Sequence, residues 1–294
     1  MDIGVALPTM AAGYTRATTV DWCAGIDAGP FSSVSCGERI TFRNQEQLVI
    51  NSAAAALCTN VDVFVNVAVA PLHPTPLLAK QLATLDVLCE GRLRVGLGVG
   101  GREHDFRAAG APFARRHARL DEQVAELRLL WAGEVPFDGA DPIGPTCVSL
   151  GGPELLAAAM GPKSMARAAR WADGISGFSV SGDPVEMQAS VMAATQAWQD
   201  AGRTTSPRMV SGCFYVLAES DDEARDELRL FTAEYLAIFG AAFAEQLAAV
   251  TRVFSLEALH AAVAGAEAAG IDELILVPGT ADPDCLDRTI AALA

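Results

Sequence analysis

The residues best suited to chemistry in this sequence form a short turn, Gly161-Pro162-Lys163-Ser164, which precedes a helical pattern. Free N–H groups and the positive end of a helix dipole make such a turn an anion site, and Lys163 and Ser164 add a charge and a hydroxyl. The same residues also suit a plain helix start, in which proline takes an early position and serine assists the cap. The residue types by themselves support both interpretations.

Two titratable side chains, Glu38 and His104, follow apolar strand-like runs. Glu38 lies in Cys36-Gly37-Glu38-Arg39 after the second run, and His104 lies in the loop after the fourth. Glu38 therefore suits proton transfer or binding, and His104 suits contact with a substrate. The alternatives are an exposed Glu-Arg turn and a solvated loop. No two of the four histidines have the spacing of metal ligands, so we expect no metal site.

A polar residue and a group of glycines interrupt the third and fourth apolar runs. Asn66 stands in the run Val61–Val69, and its amide needs hydrogen-bond partners if it is buried. Gly98 and Gly100 lie at the end of the fourth run, where a missing side chain lets the backbone approach a planar ring. The alternatives are a satisfied core asparagine and a plain glycine turn. The spacing of the glycines does not match a dinucleotide-binding fingerprint.

The elements that must position these residues alternate along the chain. Eight strand-like runs lie at Ile3–Leu7, Phe31–Cys36, Val61–Val69, Arg92–Val99, Thr146–Leu150, Asp173–Phe178, Arg208–Leu217 and Glu273–Val277. Helical patterns lie between them, and the longest helical region spans Asp221–Ala269. Eight strand-then-helix units predict an α/β fold, a closed (β/α)8 TIM barrel, in which activity belongs to the loops after the strands. An open doubly wound sheet is the alternative, disfavoured because no strand–GxGxxG–helix opens the chain.

Composition and charge limit the classes of function. The chain has 294 residues, and its 21 Lys plus Arg against 36 Asp plus Glu give a net charge of −15. Such an acidic surface repels nucleic acid and anionic lipid, so we expect neither nucleic acid nor membrane as a partner. Seven scattered cysteines without a CxxC pair indicate buried thiols in a reducing cytosol. Without a signal-peptide pattern or a long apolar run, we expect a cytoplasmic protein with one domain over residues 1–294.

One stretch of the sequence resembles the bacterial-luciferase-like flavin or deazaflavin oxidoreductases. The resemblance rests on Ala70–Arg92 (APLHPTPLLAKQLATLDVLCEGR), Leu97–Gly101 (LGVGG) and the pattern DF…G.PF..R…LDE…LW from Asp105 to Trp131. Order and spacing agree over roughly 60 residues, which is more specific than any single glycine motif. The resemblance implies a luciferase-like TIM barrel.

The resemblance also implies where a cofactor binds. It assigns the cofactor's phosphate to Gly161, Lys163 and Ser164, and its ring to a wall containing Asn66, Val67, Gly98 and Gly100, with a cis peptide placed near Asn66-Val67. Many relatives carry an acidic–histidine pair near the substrate face of the ring, where this chain has Gly37-Glu38. The sequence names no partner for Glu38. We interpret His73, in the family's proline-containing turn after the third strand, as structural.

The implied activity is hydride transfer, or monooxygenation with a flavin, on a small organic substrate. An alanine- and arginine-rich composition with only two lysines, Lys80 and Lys163, suggests a GC-rich genome and slightly favours the deazaflavin coenzyme F-420 over FMN. The apolar region Phe231–Val250 suits a substrate-pocket wall or a helix contact. The resemblance also implies a homodimer. The alternatives are a non-catalytic barrel homologue acting as a binding or partner subunit, and a phosphosugar enzyme, which needs a catalytic Lys or Glu at a strand end.

Overall fold

Eight parallel strands close into a barrel in the computed structural model, which describes residues 1–294. The strands are β1 (Asp2–Ala6), β2 (Ser33–Cys36), β3 (Asp62–Val69), β4 (Leu93–Gly98), β5 (Glu154–Ala157), β6 (Gly174–Phe178), β7 (Arg208–Tyr215) and β8 (Glu273–Pro278). Each strand pairs with the next in chain order, and β8 pairs with β1. The predicted (β/α)8 barrel is therefore confirmed.

Eleven α-helices surround the barrel. They are α1 (Arg16–Ala28), α2 (Gln47–Leu57), α3 (Thr75–Leu88), α4 (Glu103–Ala108), α5 (Arg116–Trp131), α6 (Pro162–Ala168), α7 (Pro184–Asp200), α8 (Asp221–Leu236), α9 (Ala241–Ala249), α10 (Leu256–Ala268) and α11 (Pro283–Leu293). Two short 3-10 helices lie at Ala70–Leu72 and Ala237–Phe239. None of the helices has both the length and the apolar character that crossing a bilayer requires.

The core consists of one large cluster outside the barrel and two smaller clusters, one of which lies inside the barrel. Outside, a cluster of 57 buried residues joins the strands to the helices, which explains why most strands read as continuous apolar runs. Inside, a smaller cluster contains Ala6, Phe64, Leu156, Val210 and Ile275. Four of these five come from odd-numbered strands, as expected for a barrel interior built in layers from alternate strands.

A charged layer from even-numbered strands fills the barrel near the amino ends of its strands. Arg94 on β4 forms an ion pair with Glu273 on β8, with 2.9 Å between Nη2 and Oε1. The hydroxyl of Ser33 on β2 donates to the same carboxylate at 2.7 Å. A depression of about 770 Å³ also lies at this end and includes the strand-initial residues Asp2 and Arg208. In this fold the amino end of the barrel serves stability.

The prediction of a fifth strand at Thr146–Leu150 is wrong. These residues form turns and bends, and the apolar side chains of Val148 and Leu150 are exposed to solvent. Gly151 and Gly152, with φ of +80° and +98°, then turn the chain into β5, which begins at Glu154. The strand-forming residues Thr146–Leu150 therefore lie outside the barrel, because the chain turns into the barrel only after them, at Gly151 and Gly152.

The predicted helical region Asp221–Ala269 is helical over most of its length but is not continuous. The structure divides it into α8, the 3-10 turn Ala237–Phe239, α9 and α10. Gly240, with φ of +111°, separates the turn from α9. A Cβ atom added to Gly101 would lie 3.7 Å from the ring of Phe239. This contact places the break between α8 and α9 next to the carboxyl end of β4.

Candidate active site

A cavity of about 290 Å³ opens at the carboxyl ends of the strands. Of its 18 lining residues, 11 are hydrophobic. They include Ala6 and Leu7 at the end of β1, Gly37 and Glu38 after β2, Asn66, Val67 and Val69 on β3, Ser176, Gly177 and Phe178 on β6, Phe214 on β7, Val277 on β8 and Tyr235 on α8. An apolar pocket with a few polar groups at this end of the barrel is the expected form of an active site in the fold.

A β-bulge with a cis peptide shapes the floor of the cavity. The bond between Asn66 and Val67 is cis, as the resemblance implied. The pairing of β3 with β4 jumps there from Val65 to Ala68, which leaves Asn66 and Val67 outside the regular register. A bulge of this kind re-aims side chains, and both bulged residues line the cavity.

Asn66 keeps one half of its amide free. The hydroxyl of Ser176 donates to Asn66 Oδ1 at 2.7 Å across the barrel. The amide nitrogen of Asn66 donates to no protein acceptor, although the residue lines the cavity. The bulge therefore presents a fixed hydrogen-bond donor to whatever occupies the cavity.

The two glycines predicted to face a ring lie behind the cavity wall. A Cβ atom on Gly98 would lie 3.2 Å from Val67 Cγ2. Gly100 has φ of +65°, and its Cβ atom would lie 2.6 Å from Val69 Cγ1. Neither glycine lines the cavity itself. They make room for two valines that do, so their contact with a ring stays a prediction.

Glu38 has a partner that the sequence did not reveal. Its Oε1 lies 2.8 Å from Nε2 of His73, and its Oε2 accepts a hydrogen bond of 2.6 Å from the backbone N–H of Val69. The Glu38 side chain is 3% exposed, so the alternative of an exposed Glu-Arg turn is wrong. His73, interpreted as structural, thus completes an acidic–histidine pair at the cavity wall.

The environment of His73 favours its protonated form. Burial by itself would lower the pKa of His73, but the hydrogen bond that its ring donates to Glu38 and the negative charge of Glu38 outweigh burial and raise the pKa above its ordinary value. The backbone carbonyl of His73 accepts hydrogen bonds from Arg119 and Gln123 on α5, at 3.2 and 2.9 Å. The position of the ring is therefore held by a neighbouring helix as well as by Glu38.

His104 lies apart from the cavity. It is exposed on α4 and is not among the lining residues. The buried neighbour on that helix is Asp105, which accepts hydrogen bonds from the backbone and side chain of Thr41 and from Arg102. Burial would raise the pKa of Asp105, but these hydrogen bonds and the charge of Arg102 lower it. Asp105 therefore fastens the loop after β2 to α4.

The Gly161–Ser164 turn lies beside the cavity, since the preceding residue, Met160, is one of its lining residues. Gly161 caps α6, and the Ser164 hydroxyl both accepts from Gly161 N at 3.1 Å and donates to Gly161 O at 2.8 Å. The Lys163 side chain is exposed and makes no ion pair or hydrogen bond. Ser164 thus already serves the helix start, while Lys163 is free.

The sequence matches a known protein family. A family model described as luciferase-like monooxygenase matches residues 1–288. The chain belongs to the luciferase-like monooxygenase family. An uncharacterized protein of Mycobacterium tuberculosis is 31% identical over 176 residues, which cover 58% of this chain and 61% of that protein. The chain thus matches less than two thirds of that curated relative's length.

Two solved structures show the same barrel as this luciferase-like monooxygenase family member. One is an F-420-dependent secondary alcohol dehydrogenase in complex with an adduct of F-420 and acetone, with a TM-score of 0.75, 17% identity and coverage of 100% of this chain and 99% of that one. The other is the FMN-bound oxygenating constituent of 3,6-diketocamphane monooxygenase of Pseudomonas putida. Its TM-score is 0.73, its sequence identity is 18%, and the match covers 100% of this chain and 96% of that one. At these identities the likeness shows the fold.

Several lining residues of this luciferase-like chain lay outside the sequence predictions. Ser176 and Gly177 on β6 are the clearest examples. The nearest atom to a Cβ on Gly177 would be Val210 O at 3.6 Å, so this glycine leaves open space in the cavity wall. The sequence did carry a signal for them, because Ser176 is a polar residue and Gly177 lacks a side chain within a barrel strand. No group of three or more His, Cys, Asp or Glu side chains comes together as a metal site.

Proposed function

We propose that this protein is an oxidoreductase that binds a flavin-type cofactor, either coenzyme F-420 or FMN, and acts on a small organic substrate. The observation that carries the proposal is the bulge at Asn66 and Val67, which presents a free amide donor to an apolar cavity at the catalytic end of the barrel. An apolar wall with one fixed donor suits a planar heteroaromatic ring with a polar edge.

The residues present fit such a cofactor at two further points. Gly177 leaves the wall open opposite the bulge, since no atom lies within 3.5 Å of its added Cβ position. At the Gly161–Ser164 turn, Lys163 is free, and a Cβ on Gly161 would meet no atom within 4 Å, so a phosphate can approach the backbone. In this proposal Gly98 and Gly100 act by admitting Val67 and Val69, which form the wall.

The bound cofactor supplies hydride transfer in either form and, as reduced FMN, the ability to activate oxygen. We favour F-420, because the sequence composition suggests a GC-rich genome and a sequence relative is mycobacterial. The protein's own part is to orient the ring, exclude water with its apolar wall and move a proton. Glu38 is the acidic group at the wall, and His73 holds a proton against its Oε1. His104 has no part in this arrangement.

The test is a titration of the apoprotein with FMN and with F-420, followed by fluorescence. We expect micromolar binding of one of the two, and F-420 is the expected ligand. Lys163→Ala should weaken binding by about tenfold, because a charge-assisted hydrogen bond to phosphate is lost. Lys80→Ala is the matched control, since Lys80 is the only other lysine and bonds Gly144 O on the outside of the barrel.

Two outcomes contradict the proposal in different ways. Absence of binding by both cofactors would favour the non-catalytic barrel homologue. Binding that is unchanged in Lys163→Ala would leave the cofactor assignment in place but remove its phosphate from the Gly161–Ser164 turn.

A further inference from the structure

A positive charge without an ion pair is buried against Tyr235, a wall residue of the cavity, although its own residue does not line the cavity. Arg39 follows Glu38 at the end of β2 and is 7% exposed. Its guanidinium makes no ion pair, and its Nη1 is buried without any hydrogen-bond partner. Buried arginines are almost always paired, because an uncompensated charge in a protein interior is costly.

Aromatic rings hold this guanidinium in place. It lies 3.4 Å from the ring centroid of Tyr235 and 4.8 Å from that of Phe42. Tyr235 is itself a wall residue of the cavity and contacts Phe214, another wall residue, with 5.2 Å between ring centroids. Cation–π contacts of this kind orient the guanidinium but do not use its N–H donors.

The carboxylates of the surrounding elements already have partners. Glu38 is bound by His73, Asp105 by Thr41 and Arg102, and Glu234 by Arg43. The ion pair between Arg43 and Glu234 also fastens the loop that carries Arg39 to α8. The cation is therefore fixed in position before any ligand binds, and each of these carboxylates is already bound by another group.

We propose that Arg39 is a specificity residue that binds the carboxylate of an anionic organic substrate in this cavity. The fork of N–H donors on a guanidinium matches the two oxygens of a carboxylate, and the apolar walls suit a hydrophobic body attached to it. This inference rests on the proposed function, because it treats the cavity as the substrate pocket of that reaction.

The test uses benzoate as the probe and benzamide as its neutral counterpart of the same shape, with binding to the full-length protein measured by calorimetry. We expect benzoate to bind at least about 30-fold more tightly than benzamide, and we expect Arg39→Met to remove this difference in affinity. Arg39→Lys should keep part of it, since it retains the charge and loses the fork. Arg229→Met is the matched control, because it removes an equal charge that is exposed on α8 and makes no ion pair or hydrogen bond.

Equal binding of benzoate and benzamide by the wild-type protein overturns the inference, and this comparison decides even if Arg39→Met fails to fold. Equal benzoate binding by wild type and folded Arg39→Met overturns it as well. The cofactor titration separates this inference from the proposed function. If benzoate binding depends on Arg39 but neither FMN nor F-420 binds, the anion site stands and the proposed function fails. If a cofactor binds but the protein binds benzoate no more tightly than benzamide, the proposed function stands and the anion site at Arg39 fails.

Discussion

Removing the carboxylate of Glu273 should destabilise the barrel in a pH-dependent manner. Glu273 is completely buried, receives two hydrogen bonds of 2.7 Å from Ser32 and Ser33, and pairs with Arg94. Burial by itself would raise its pKa, but Arg94 and the two serine hydroxyls outweigh burial and lower the pKa from 4.5 to about 2. The ionised carboxylate of Glu273 is therefore stabilised in the folded protein relative to the unfolded chain.

The size of the effect follows from this pKa. A fall from 4.5 to about 2 corresponds to about 3 kcal/mol of folding free energy at neutral pH, at 1.36 kcal/mol per pKa unit. Because the pKa is depressed, this stability is complete above the unfolded value and is lost as the pH falls through the folded value. Glu273→Gln also removes the closest counter-charge of the buried Arg94, which keeps only the more exposed Asp62 at 3.3 Å, so we expect a total loss of about 3–5 kcal/mol at pH 7.

Urea unfolding of wild type and Glu273→Gln at two pH values measures this effect. The difference in unfolding free energy between them should shrink by about 2 kcal/mol between pH 7 and about pH 3, because the wild type loses part of its advantage. Glu267→Gln is the control, since Glu267 is 68% exposed and pairs only with the chain's amino terminus at 3.6 Å. A Glu273→Gln protein as stable as wild type, or a difference that does not change with pH, would refute the reasoning.

Three further predictions concern the barrel wall and the acidic–histidine pair. Gly174→Ala should destabilise the protein by about 2 kcal/mol or more in urea unfolding, because its Cβ atom would lie 2.1 Å from Arg208 O. Gly177→Ala in the same strand should cost less than about 0.5 kcal/mol, and equal losses would contradict the packing argument. Glu38→Gln should slow turnover at least about tenfold while cofactor affinity stays the same, and unchanged turnover would exclude Glu38 from proton transfer. The raised pKa of His73 means that its ion pair stabilises the protein below about pH 6.5 and less as the pH rises through the folded value; Glu38→Gln should abolish that decline.

The barrel could be predicted from the sequence because most of its strands are buried on both faces. Val61–Val69 and Arg92–Val99 appear as long apolar runs, and β3 and β4 fall within them. The fifth strand could not be located in this way. This strand has only four residues, Glu154–Ala157, and is shorter than the apolar run Thr146–Leu150 that precedes it. The hydrophobicity of that run does not reveal that Val148 and Leu150 face solvent.

The candidate site was predicted in part for a related reason. Glu38 and His73 are 35 residues apart, and no local spacing connects them. They meet because β2 and β3 are neighbours in the barrel, so both residues follow the carboxyl ends of adjacent strands. A rule that pairs titratable residues across consecutive strand ends would have found this pair. Arg39 could not have been singled out, because its lack of a partner is a property of the folded environment.

Two polar groups at the carboxyl end of the barrel lack a hydrogen-bond partner in the protein, and this argues for a ligand. At the amino end, Glu273 accepts hydrogen bonds from Arg94, Ser32 and Ser33, and Nε of Arg94 lies 3.3 Å from Asp62 Oδ2. At the carboxyl end, Nη1 of Arg39 is buried without a hydrogen-bond partner, and the amide nitrogen of the partly buried Asn66 donates to no protein acceptor. Each buried unsatisfied group costs about 1–3 kcal/mol, a cost that a ligand supplying acceptors would remove. Ligands that engage these donors should therefore raise the unfolding temperature, and Arg39→Met should reduce that increase for benzoate alone, not for the cofactor.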